Sequence, residues 1–172
     1  MNFKILTISI LSVFLLNSCS SNEEKLDSDK NSIFGTYELE SYNTVPSTDI
    51  NNDGIASENQ ALESSCHQNF SITLNEDNTS VVKYTFLELE RDSNNMETQQ
   101  IECYVSDRSG TFTVEGDVLT LSYDSDGVIE KSIFNIDGNK ITGTSESIDL
   151  LTRNSEGKLV YVNASLIVIL EK

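Results

Sequence analysis

The chain has 172 residues, with 28 acidic against 11 basic side chains and a formal net charge of −17. Such a surface repels phosphate backbones and anionic headgroups, which are drawn to Lys/Arg clusters, so the composition argues against nucleic-acid binding. The length suits one ordinary domain with its own core, and a single histidine, His67, provides no set of ligands spaced for zinc.

Residues 1–18 open with one positive charge, Lys4, run through an apolar stretch from Ile5 to Leu16 and end on Asn17 and Ser18. This order predicts a secretory signal. Its apolar stretch is about twelve residues, short of the roughly 20 that a bilayer-crossing helix needs, so a permanent span is not expected from it. The ending Leu16-Asn17-Ser18-Cys19 resembles the lipobox of bacterial lipoproteins. That resemblance implies cleavage before Cys19, diacylglycerol on its thiol, and an acyl chain such as palmitate on the new amino group. Several chains hold a protein stably, since each buried CH₂ contributes about 0.8 kcal/mol. Residues 19–31 continue as a polar, acidic stretch that reads as a flexible tether. Its Ser-Ser-Asn-Glu-Glu run looks like the export signals of surface lipoproteins in Bacteroidetes-type bacteria, which implies an outer-membrane or cell-surface address.

With Cys19 taken by lipid, Cys66 and Cys103 remain, and in an oxidising envelope they are expected to form a disulfide. In the loop-entropy model such a bond contributes about 3 to 4 kcal/mol. The alternative is a reactive thiol, since His67 follows Cys66, but an even pair in an exported chain is most simply a crosslink.

From residue 67 onward the apolar positions recur with period two. His67 to Asn75 carries Phe70, Ile72 and Leu74 on one face, and Thr79 to Glu90 carries Val82, Tyr84 and Phe86, with the turn Asn75-Glu76-Asp77-Asn78 between them. Further strands are predicted over Gln99 to Ser106, Gly110 to Glu115, Val118 to Tyr123, Val128 to Ile136, Lys140 to Ser147 and Lys158 to Glu171. The Gly- and Asx-rich connectors between several of these are turn chemistry. The last strand turns apolar on both faces near its end, which predicts cover on both sides there. Glu38, Glu40, Glu88, Glu90 and Glu130 alternate with apolar residues and read as outward positions. One strand before residue 45, about seven after residue 66 and no amphipathic helix predict an all-β, antiparallel up-and-down meander over residues 32–172.

Ile33-Phe34-Gly35-Thr36-Tyr37-Glu38-Leu39 resembles the opening strand of lipocalin-like domains, with Tyr37 standing where the family's G-x-W has tryptophan. Cys66 ahead of Phe70-Ser71-Ile72-Thr73-Leu74-Asn75-Glu76-Asp77-Asn78-Thr79, then Gly110-Thr111-Phe112-Thr113-Val114 and Leu119-Thr120-Leu121, is similar in order and spacing to lipocalin-like lipoproteins of Bacteroidetes-type bacteria. The likeness covers about residues 32–171. It implies a barrel of about eight strands, whose interior is either filled by side chains or holds one small hydrophobic ligand.

Between the first two predicted strands, Asp49-Ile50-Asn51-Asn52-Asp53-Gly54-Ile55 follows the D-x-[DN]-x-[DN]-G opening of a calcium loop. Asp49, Asn51 and Asp53 would supply side-chain oxygens, Ile55 its carbonyl, and Ser57 a direct or water-mediated contact, making Ca²⁺ a structural ion. The twelfth position holds Gln60 instead of a bidentate Glu, so a carboxylate from Glu58 or Glu63 would have to complete the set. The same residues also suit an Asx-rich turn that needs no ion.

Two functions remain in view: a membrane-anchored barrel binding a small apolar molecule, and a structural or interaction protein of the envelope. An enzyme is not expected, since there is no G-x-S-x-G elbow and the many carboxylates fit a solvated surface.

Overall fold

The computed structural model describes residues 32–91 and 99–172, so the expected leader, Cys19 and the tether lie outside the described residues. Strand β1 (Gly35–Thr48) leads into a long insertion that holds the short β2 (Ser57–Asn59), a single helical turn α1 (Gln60–Glu63) and a 3-10 turn (Ser65–Gln68). Strands β3 (Ser71–Leu74), β4 (Thr79–Arg91), β5 (Gln99–Glu115), β6 (Val118–Ser125), β7 (Val128–Asp137), β8 (Lys140–Arg153) and β9 (Leu159–Glu171) then follow, each antiparallel to its neighbour. Pairing of β1 with β9 closes the ring into an eight-stranded barrel, and β2 lies beside β1. Period-two patterning and tight turns predict the antiparallel meander, the resemblance implies its closure into a barrel, and both are observed.

The alternation fixes which side chains go inside. Ile72 and Leu74 of β3, Leu119 and Leu121 of β6, Ile141 of β8 and Leu170 of β9 are all buried and belong to one core cluster. Tyr37 joins them: it is 1% exposed, and its hydroxyl donates to the carbonyl of Ile33 at 3.0 Å. Fully burying an apolar side chain of this size class contributes about 1.5–3 kcal/mol, so the cluster dominates the stability of this end. The Lys172 ammonium donates to the carbonyls of Ser32 and Phe34 and lies 5.7 Å from the centre of the Tyr37 ring, which shuts the end at which β1 begins.

Several boundaries differ from the sequence expectation, each for a local reason. The stretch 99–115 is one strand, because Ser106 to Gly110 stay paired with Tyr84 to Ser80 although the sequence there is polar. Gly110 is required at that point, since a Cβ on it would lie 2.2 Å from the Ser122 carbonyl oxygen. Strand β8 continues to Arg153, because a bulge between Ser145 and Ile148 shifts the alternation and hides the continuation. The segment from His67 is not strand: β3 begins only at Ser71, and residues 65–68 close as a 3-10 turn whose Cys66 amide donates to the Ser64 hydroxyl at 3.2 Å.

The outer face of β9 is partly covered at its end, from Val168 to Glu171, and is buried at its first residue, Leu159. Ile167 is 45% exposed, whereas Leu159 is 4% exposed, because Ile50 from the insertion packs with Leu159 and Leu151 in a second apolar cluster. Leu87, Leu89 and Ile101 of the β4–β5 hairpin add to that cluster.

Candidate functional site

Strand β3 pairs with β1 only from Gly35 to Glu38, so the upper part of β1 has no β3 beside it. The 3-10 turn packs against β4 and fills this seam. It is held from two sides. Cys66 is bonded to Cys103 of β5, with the two Cα atoms 5.5 Å apart, as the cysteine count predicts. The insertion ahead of it is fastened to β1 through buried Gln60, whose amide donates to Thr44 Oγ1 and accepts from Thr48 Oγ1, each at 2.8 Å.

Below this cover lies a cavity of about 250 Å³, just under the roughly 300–1,000 Å³ typical of ligand sites. Its walls are aromatic: Tyr42, Phe70, Tyr84, Phe86, Tyr123 and Phe134, with Val82, Leu121 and Leu166 between them. Phe70 meets Tyr84 edge-on at 6.3 Å, and Phe86 stacks on Tyr104 at 5.9 Å, so one wall continues up the β4–β5 hairpin as a run of rings. Gly143 makes room for Phe134, since a Cβ there would come within 2.6 Å of its ring.

Polar groups enter at two places. Arg108 lies between Tyr84 and Tyr123, 5.6 and 5.1 Å from their ring centres, and its Nη1 donates to Glu130 Oε2 at 2.6 Å. Beside them Tyr123 and Ser132 share a 2.6 Å hydroxyl hydrogen bond. At the cover, His67 stacks on Tyr42 with ring centres 5.0 Å apart and planes 21° from parallel. Burial lowers the His67 pKa from 6.5 to about 4, so its ring is neutral at physiological pH, and burial likewise raises that of Tyr42. The His67 Nε2 atom is buried without a hydrogen-bond partner among the described residues.

Glu130 is therefore not an outward residue: it follows Phe134 and Ser132 on the barrel-lining face of β7 and answers Arg108. Glu38 and Glu40 are exposed as expected. Glu88 is exposed too, but it continues the Val82–Tyr84–Phe86 face where the hairpin runs past the barrel. The side chain of Glu90 lies outside the described residues. The strand break expected before Gly110 hid Arg108. With β5 continuous, its even spacing from Phe112 places it inside, and the same count from Phe134 finds Glu130.

The Asp49–Ser57 loop forms a turn held by its own side chains. Asp49 accepts from the amides of Asp53 and Gly54 at 3.1 and 3.0 Å, Asn51 from Asp53 at 2.9 Å, and Asp53 from Ile55 at 2.8 Å. Asn52 and Gly54 take the positive φ values, 61° and 88°, that the bend demands. Ser57 turns away and bonds with Asn59. Glu63 is buried and accepts from the Ile50 amide at 3.0 Å, so it is not a free carboxylate for the loop. Among the described residues no group of three or more His, Cys, Asp or Glu is placed to hold a metal.

A family model described as a lipocalin-like domain matches residues 33–143, from the segment before β1 into the start of β8. No curated protein and no solved structure matches the chain.

Proposed function

The chain belongs to the lipocalin-like domain family, and on that premise we propose a lipid-anchored, non-enzymatic binding protein of the bacterial envelope that holds one small apolar molecule in its barrel. The observation that carries this reading is the aromatic cavity of about 250 Å³ beneath the insertion. A barrel built only as a scaffold gains by filling its interior, because packed side chains contribute contacts that an open space forfeits. Here Tyr42, Phe70, Phe86 and Phe134 surround space that a ligand would fill. The anchor rests on the Leu16-Asn17-Ser18-Cys19 resemblance, and the disulfide fits an exported protein. Native mass spectrometry of the purified protein, with organic extraction of what it releases, is expected to give a co-purifying lipid-like or aromatic compound. Protein free of any such compound, and indifferent to added apolar ligands, would leave a scaffold or interaction lipoprotein instead.

The Asp49–Ser57 loop is read as a structural calcium loop. Its support is the D-x-N-x-D-G order and the gathering of Asp49, Asn51 and Asp53 on one turn, with exposed Glu58 as the available extra carboxylate. Calcium at micromolar to millimolar concentration is expected to raise Tm, and Asp53→Ala to abolish the rise. Identical melting curves in calcium and in EDTA would remove the ion from the account.

A further inference from the structure

We propose that the molecule held in the barrel carries a ring and one uncharged hydrogen-bonding group, a hydroxyl or an amide, that meets Nε2 of His67; this deepens, and rests on, the cavity-binding reading. Buried polar atoms are almost always paired, and His67, 7% exposed, lines a cavity otherwise suited to rings while its buried Nε2 has no partner among the described residues. The imidazole has little freedom to find a partner elsewhere. It is stacked on Tyr42, and the residue before it is tied to β5 by the disulfide.

Charge decides the kind of partner. The ring is neutral, since burial lowers its pKa to about 4, so it gives an anion no ionic attraction. Arg108, the cation on the cavity wall, is already bound to Glu130 at 2.6 Å and bracketed by two tyrosines. The net charge of −17 further disfavours organic anions. The aromatic walls favour ring faces and edges, and the volume limits the ligand to a small molecule. The competing occupant for Nε2 is an ordered water.

Three probes separate these outcomes: 4-propylphenol, propylbenzene and 4-propylbenzoate, titrated calorimetrically at pH 7 into purified protein extracted free of bound lipid. One added hydrogen bond to a buried group predicts that the phenol binds about five- to tenfold tighter than propylbenzene. His67→Phe keeps the ring on Tyr42 and is expected to erase that difference, and His67→Gln, which restores a neutral polar end, to keep part of it. If His67→Phe does not fold, the native protein and His67→Gln decide the matter. Equal binding of phenol and propylbenzene to the native protein overturns the assignment and leaves water at Nε2. Tightest binding of the benzoate also overturns it and moves the head group to Arg108. In both cases the cavity reading stands. Failure of all three probes, together with no co-purifying compound, overturns the cavity reading itself.

Discussion

Burial holds the His67 imidazole neutral down to about pH 4, whereas in an unfolded chain it takes up a proton near 6.5. Between those values the unfolded state binds the extra proton, so the stability His67 contributes is present above about 6.5 and is lost as pH falls toward 4. The gap corresponds to on the order of 3 kcal/mol. Urea denaturation between pH 4 and 7 is expected to show this slope in the native protein and to lose most of it in His67→Phe. An equal slope in the variant would assign it to carboxylates. Asp77 is separable, because hydrogen bonds from Thr79 hold its carboxyl below the ordinary 3.8, and its contribution is lost only at lower pH. Tyr42 on the same cavity is raised by burial above its ordinary 10.0, so it does not ionise in the His67 window.

Among elements, the insertion between β1 and β3 sets the site. It covers the seam that short β3 leaves, brings His67 over the cavity and packs Ile50 onto Leu151 and Leu159. Besides the β1–β2 pairing, side chains hold it through the Gln60 bonds to Thr44 and Thr48, the Arg153 Nε donation to the Ile50 carbonyl at 3.1 Å, and the Cys66–Cys103 bond. Opening the disulfide by Cys66→Ser with Cys103→Ser is expected to cost about 3 to 4 kcal/mol in denaturant unfolding, by freeing the unfolded chain. The barrel below should survive, because its core cluster draws on β1 and on β3 to β9 and includes neither cysteine. A variant as stable as the parent would show the crosslink to be dispensable.

For the molecule as a whole, β1 starts at the end shut by Tyr37 and Lys172, and the insertion with the cavity cover lies at the other. The proposed anchor at Cys19 would then join the described chain at the shut end, on the side away from the cavity cover. Anchor and cavity are then separate devices. Cys19→Ala is expected to release the protein from the membrane fraction while leaving Tm and the propylphenol titration unchanged. Loss of folding in that variant would contradict the separation.

The sequence by itself determined the class of fold, since period-two patterning with Asx and Gly turns has one low-energy solution, antiparallel strands with one face inside. It also determined the disulfide, because two cysteines remain once Cys19 is set aside. What it could not determine was the site. Arg108 and Glu130 are 22 residues apart and become partners only because β5, β6 and β7 are aligned side by side. The cover over the cavity likewise depends on a bond from Cys66 to a strand far along the chain. Local patterning says which face a residue takes within its own strand, and only closure of the barrel decides which residues from different strands share the space inside.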